Sequence, residues 1–468
     1  MKYLIITFFS CLSICVKGQI EPFNFIHKEV ELRLMKDIEF LSSDDLSGRL
    51  PGTPGANLAS EHIQDAFQRV GLKPLFNEGY KQAFDIPRPT EIQKNRNYIV
   101  IAKDTLYLGK KLYISPYSLT KDFIGEVVYV SHGIHSDSIN DYKSISEISL
   151  DGKLVLIELN VPKNKKKRAG NQSKILSRIK EAKKRGAKDI ILLSKRNNRR
   201  DEISKYTFLK LKEAGANVSM IFGKKWSNKI HRSKKPIIMV TKISKRNDEG
   251  FNIGGMLDLG AENTVLIGAH YDHLGKGEYH GSKELSGRIY NGADDNASGV
   301  SVMLEVLNQL SLNSDLQKSN VIFLAFSGEE DGLIGSKHFV KNCPLDPNTI
   351  SQMINIDMVG RLNNSDSLTI YATSSALEWR TIINDLPKTE INIKNVLEIF
   401  PRSDHYAFID AGIPAIMLHT GIHKDYHSPN DDFEKIDGPG LVKITEVVLQ
   451  ILQNLNKFPH FKYQSSLL

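Results

Sequence analysis

The chain has 468 residues, 40% hydrophobic and 25% charged, with a formal net charge of +8. This is ordinary globular composition with room for about two or three domains. Only three cysteines occur, two of them inside an N-terminal leader, so the remaining Cys343 excludes an internal disulfide and nothing around it suggests a thiol catalyst.

The leader, "MKYLIITFFSCLSICVKGQ", pairs Lys2 with an apolar stretch and a Val16-Lys17-Gly18 cleavage site before Gln19. It reads as a signal peptide over 1–18, placing the protein outside the cell or in a periplasm. The apolar run is too short for a stable membrane span. Lipid attachment at Cys15 is the weaker alternative, because Ile14 stands where a small residue is expected. Two helices are predicted next, in "VELRLMKDIEFLSS" and "ANLASEHIQDAFQRVG", separated by the loop "DDLSGRLPGTPG". Ala59, Ile63, Phe67 and Val70 recur at helical spacing in the second, and Gly71 ends it.

From about Asn97 the texture changes. Short β-like runs ("NYIVIA", "EVVYVS", "KLVLIEL", "DIILLS") surround one lysine-rich helix. The stretch Lys163–Arg200 carries sixteen basic and two acidic residues. It contains no aromatic side chain for base stacking, so it reads as a solvated basic face rather than a nucleic-acid site. The pattern "GKLVLIELNVP…KILSRIKEAKKRGAKDIILLS" resembles the protease-associated domain. That resemblance implies an insert over 97–240, without catalytic groups, dividing a larger domain into 19–96 and 241–468.

The second half alternates apolar strands with helices. "TVLIGA" (264–269), "NVIFLAF" (320–326), "QMINIDM" (352–358), "LTIYAT" (368–373) and "PAIMLH" (414–419) are continuous apolar runs, as in strands covered on both faces. With helices such as 299–310, the expected fold is α/β, a mostly parallel central sheet flanked by helices. Acidic and imidazole residues follow these strands repeatedly. His270, Asp272 and His273 follow the first, Glu329 and Glu330 the second, Asp357 ends the third, and His423 and His427 follow the last. Open α/β sheets bind ligands at that edge. Imidazoles and carboxylates without thiolates suit Zn²⁺, and there are more donors than one ion needs, which points to a paired site. His-Glu-x-x-His, Gly-x-Ser-x-Gly and Walker patterns are absent from the sequence. "GKGEYHG" (275–281) reads as an active-site loop rather than a phosphate loop.

The blocks "GAHYDHLG", "NGADDNASG", "FSGEEDGLIGS", "NIDMVGR", "RSDHYAF" and "YHSPNDDFEKI" occur in this order. Together they resemble the co-catalytic zinc exopeptidases of the bacterial leucyl aminopeptidase, aminopeptidase Y and glutamate carboxypeptidase type. The resemblance covers roughly 251–440 and implies two zinc ions per chain and a peptide substrate. It places His270 and Asp357 on one ion, Glu330 and His427 on the other, and Asp295 as the bridge. Glu329 becomes the general base that takes the proton from the attacking water, and Asp272 orients His270. Asp294 and Asn296 fall to capping and loop formation, and Ser403, Asp404 and His405 receive no catalytic role. Taken alone, Asp295 reads as a helix cap and the Glu329–Glu330 pair as a solvated turn; the ordered blocks displace both readings. His423 competes with His427 by proximity, while His273, His280, His338 and His419 read as loop or packing histidines and Met353, Met358 and Met417 as core. A single-zinc glutaminyl cyclase-like enzyme, a carboxypeptidase and a receptor-like homologue without activity stand as alternatives. Side-chain preference and oligomeric state are not encoded in any motif.

Overall fold

The computed structural model describes residues 27–464, except 90–95, 110, 115–120, 196–216, 234, 243–244, 278–286, 314–316, 347–348, 388–389 and 459–460. The leader with Cys15, the 196–200 end of the basic run and His280 lie outside the described residues.

Helix α1 (His27–Leu41) buries Val30, Leu34, Ile38 and Leu41 along one stripe. Helix α2 (Pro54–Arg69) begins with Thr53, whose side chain accepts the Ala56 N–H, and with Pro54 at its first turn. Ala59, Ile63 and Phe67 face the core as their spacing predicts, whereas the helix stops at Arg69 and leaves Val70 just outside it.

A nine-stranded sheet organises the rest. Its main members are β1 (Lys81–Pro89), β2 (Lys245–Leu257), β3 (Thr264–His270), β4 (Asn320–Phe326), β5 (Ile350–Ile356), β6 (Ser367–Tyr371) and β7 (Ala415–His419). The order β4-β3-β5-β7 in the middle is parallel throughout. Antiparallel strands extend it on both sides, β2 against β4 and β6 against β7. β3 and β4 are buried at every position, which explains their uninterrupted apolar sequence. On one face α1, α2, α3 (Gly299–Leu312) and α4 (Gly438–Leu455) contribute to one apolar core with the sheet. A second core forms on the other face around Phe326, Phe339, Met353 and Phe408.

Between β1 and β2 the described residues form a two-stranded ribbon, His135–Ser136 against Ile139–Asn140, and two larger sheets. One has five strands, with 154–158, 189–194 and 217–222 parallel; the other has four antiparallel strands. Ile99, Phe123 and Met239 of the second meet Leu154, Ile191 and Ile221 of the first in a core of their own. The single lysine-rich helix expected here is two: Lys163–Ala169 and Ile175–Lys184. Gly170, at φ 52°, and extended Lys174 break the helical path between them. β1 and β2 pair over nine residues, from Lys81↔Ile253 to Pro89↔Lys245, so the chain departs from and rejoins the main sheet on adjacent strands.

Among the described residues no helix is long and apolar enough to cross a membrane.

Candidate metal centre

Each buried strand ends where its apolar run ends, and the next polar residue emerges at the carboxyl edge of the sheet. His270 is the last residue of β3, Asp357 follows β5 directly, and Glu329 and Glu330 lie in the turn after β4. His427 comes from the loop beyond β7, and Asp295 from a distorted turn over Ala293–Ser298 that leads into α3. Asp295 (φ −107°, ψ 90°) and Asn296 (φ −133°, ψ 43°) depart from helical geometry, and the peptide between them is cis.

The Asp295 carboxylate stands between two groups of donors. Its Oδ1 is 3.5 Å from His270 Nε2, which is also 3.5 Å from Asp357 Oδ1. Its Oδ2 is 3.1 Å from His427 Nε2, which is 3.2 Å from Glu330 Oε2. Four donors at ordinary zinc distances around a tetrahedral ion stand about 3.3 Å from one another. The spacing therefore fits one cation on each side of Asp295. Orphaned buried atoms agree with that: Asp357 Oδ1 and Glu330 Oε1 have no hydrogen-bond partner, a costly state that a cation relieves.

The remainder of the acidic knot holds this geometry. Asn296 Oδ1 accepts the Gly299 N–H at 3.0 Å, capping α3, and the Met358 N–H at 3.1 Å. Asp294 Oδ1 accepts the Gly360 N–H at 2.6 Å. His423 Nε2 lies 3.0 Å from Asp294 Oδ2, so the structure separates His423 from the donor group that His427 joins. Asp272 meets His270 through its backbone oxygen at 3.2 Å from Nδ1, its carboxylate being 3.8 Å away. The same carboxylate accepts the Glu329 N–H at 3.2 Å.

Two supporting residues stand outside the predicted donor set, Asp431 within the "YHSPNDDFEKI" block and Arg49 in the loop after α1. Asp431 Oδ2 accepts the backbone N–H groups of Asp294 and Asp295, both at 3.0 Å, and its Oδ1 accepts from buried Arg361 at 2.8 Å. Arg49, 1% exposed, donates only to carbonyls: Leu41, Tyr271 (2.7 Å), Asn291 (2.6 Å) and Gly292 (3.0 Å). It thus ties the loop after α1 to the segments that carry Asp272 and Asp295. Neighbouring Gly48 (φ +76°) has no room for a side chain, since a Cβ there would lie 2.4 Å from the Gly275 carbonyl oxygen.

Crowded carboxylates shape the electrostatics. Burial pushes Glu329 well above the ordinary carboxylate range; His270 opposes this and Glu330 adds to it. Burial likewise carries Asp272 up to about 8. Glu330 goes the other way despite burial, held well below its ordinary value by His427 and His273. Behind this cluster Ser403 Oγ accepts from Asn355 at 2.7 Å, and Asp404 is raised to about 6 by burial. His405, fully buried with neither ring nitrogen hydrogen-bonded, is lowered to about 4 by burial. It is neutral in the fold and takes a proton more readily when unfolded. Its contribution is therefore full above about 6.5 and is lost as the pH falls toward about 4, on the order of 3 kcal/mol. Urea titrations at several pH values are expected to show this loss, and His405→Phe to flatten it.

A cleft of about 200 Å³ opens onto the donors. Met358 and Met417 line it together with Tyr371, Phe400 and His419. These two methionines are thus buried in the cleft wall rather than in the deep core, where Met353 does lie. His338 packs against Phe84, ring centroids 5.4 Å apart.

Residues 252–452 match the model of Peptidase family M28. A probable leucine aminopeptidase of Arthroderma otae is 26% identical over 223 residues, covering 45% of this chain and 58% of the relative. One from Trichophyton verrucosum is 25% identical over 226 residues, 45% of this chain and 57% of the relative. The chain thus spans a little over half the length of the curated relatives it matches. Among solved structures, an aminopeptidase from Aneurinibacillus sp. strain AM-1 superposes with a TM-score of 0.57 at 22% identity, covering 94% of this chain and 96% of its own. BSAP, a zinc aminopeptidase from Bacillus subtilis, gives 0.56 at 19% identity over 93% and 96%. They share the α/β fold with its large sheet flanked by helices. The match to Peptidase family M28 over residues 252–452 thus takes in His270, Asp295, Glu329, Glu330, Asp357 and His427, and residues 252–452 resemble that family.

Proposed function

We propose that this protein is an exported aminopeptidase that binds two zinc ions per chain and removes residues from the N-terminus of peptides. The observation that carries the reading is the Asp295 carboxylate, with His270 and Asp357 facing one oxygen and His427 and Glu330 facing the other. In this reading those five side chains hold the ions. The zinc supplies Lewis acidity, polarising the scissile carbonyl and acidifying water.

The protein's own groups do the rest. Glu329 lines the cleft beside the donors without belonging to either group of them. Its carboxylate takes a proton from the attacking water and returns it to the departing amine. The raised affinity of that carboxyl for a proton, caused first by burial, suits a group that accepts and returns a proton. Asp272 fixes both partners at once: its main-chain oxygen meets His270 and its side chain holds the Glu329 N–H. The cleft wall of Met358, Tyr371 and Phe400 gives an apolar substrate side chain a place beside the donors. Amino-terminal cleavage is supported by the names of the fungal and bacterial relatives. Export is supported by the leader, and the segment between β1 and β2 is assigned here as a protease-associated insert.

A panel of aminoacyl reporter substrates and N-blocked peptides, with and without a chelator, tests the reading. Hydrolysis that needs a free N-terminus and stops on chelation is expected. Cleavage indifferent to N-blocking identifies a carboxypeptidase or endopeptidase instead, and cyclisation of N-terminal glutamine with one zinc per chain identifies a cyclase. No turnover by a folded, zinc-loaded chain overturns the enzyme reading.

A further inference from the structure

His273 lies among the donors, and no other role is evident for it. It is 0% exposed. Its ring is clamped by Gly292, where an added Cβ would lie 2.6 Å from Cδ2. Neither ring nitrogen has a hydrogen-bond partner. Nδ1 nevertheless approaches two carboxylates, at 2.8 Å from Glu330 Oε1 and 3.9 Å from Asp295 Oδ2. Glu330 Oε1 is itself without a hydrogen-bond partner. The ligand-type atoms of His273, Asp295 and Glu330 all lie within 4.8 Å of one another.

An imidazole buried without partners is costly, and it stands here against the carboxylates of Glu330 and Asp295. A cation at this corner serves all three groups together, along with His427 Nε2, which lies 3.1 Å from the same Asp295 oxygen. We propose that His273 is a fourth protein donor, with Asp295, Glu330 and His427, to one of the two zinc ions. The consequence is an unequal pair. The corner with His273 is closed by four side chains, as in structural zinc sites. The corner formed by His270, Asp295 and Asp357 has three and keeps a position open for reacting groups. The first ion is therefore held more tightly than the second. This inference rests on the two-zinc reading above.

The test uses the full-length protein and its His273→Leu variant. Zinc affinity is read by competition with a chromophoric chelator, and the coordination by the visible spectrum of the Co²⁺-loaded protein. In the parent, two equivalents of unequal affinity are expected. In His273→Leu the tighter equivalent weakens at least about tenfold and its Co²⁺ bands shift, while the weaker equivalent stays as it was. Parental affinities and spectrum in a folded His273→Leu overturn the inference and leave the peptidase reading standing. A parent that takes up no zinc overturns that reading itself. Should the variant fail to fold, zinc-edge anomalous diffraction from the loaded parent decides. A His273 nitrogen at about 2.0–2.1 Å from an ion supports the assignment; an ion out of contact with the ring overturns it.

Discussion

Glu329→Gln is expected to reduce peptide hydrolysis by about 10²–10⁴-fold and to leave zinc uptake at the parental level. Gln has the shape of Glu but no basic oxygen, so only the proton transfer is removed. The two donor groups stay complete, because their close contacts run through His270, Asp295 and Asp357 on one side and Asp295, Glu330 and His427 on the other. The Glu329 backbone remains anchored by its N–H bond to Asp272, so the side chain keeps its direction. Steady-state kinetics together with zinc content on the same preparation separates the two quantities. Parental turnover in this variant removes Glu329 from the mechanism. Lost zinc makes it a metal-holding residue instead.

The second large effect lies outside the donors. Asp431→Ala is expected to destabilise the fold by about 3–5 kcal/mol, the range for breaking a buried ion pair from one side. Arg361, 3% exposed, loses the carboxylate it donates to at 2.8 Å. Asp425, 3.8 Å away, is too distant to replace it. The N–H groups of Asp294 and Asp295 lose their shared acceptor at the same time. Since those N–H groups set the path of the segment carrying Asp295, zinc affinity should fall along with stability. Urea unfolding of the metal-free protein measures the first effect and chelator competition the second. Unchanged stability in the metal-free state contradicts the role assigned to this carboxylate.

The sequence exposes the donors because the fold places them in a way that local patterns can express. A strand buried on both faces must be apolar throughout, so the first polar residue after it marks the sheet edge; His270 and Asp357 are read in this way. Strand 320–326 coincides with its predicted span, and the others differ by a residue or two at their ends. What escaped is held by partners distant along the chain. Arg49 reaches the Tyr271 carbonyl across 222 positions, and Asp431 reaches the Asp295 N–H across 136; no local spacing reports such contacts. β1 is hidden in the sequence for another reason. Phe84, Ile86 and Arg88 are its buried positions, so the alternation includes an arginine that pairs with Asp248 and Asp331. The prolines at 87 and 89 mask it further, being compatible with strand structure at an edge. Apolarity alone also could not distinguish Met353 in the core from Met358 and Met417 beside the cleft.

The pairing of β1 with β2 makes the 155 residues numbered 90–244 an excursion from the tip of a β-hairpin. In evolutionary terms, such a tip is where extra sequence enters at least cost, because the hydrogen-bonded ladder behind it closes equally well over a short turn or a long detour. Replacing residues 90–244 by a short turn is therefore expected to leave the β1–β2 register as it is, from Lys81↔Ile253 to Pro89↔Lys245.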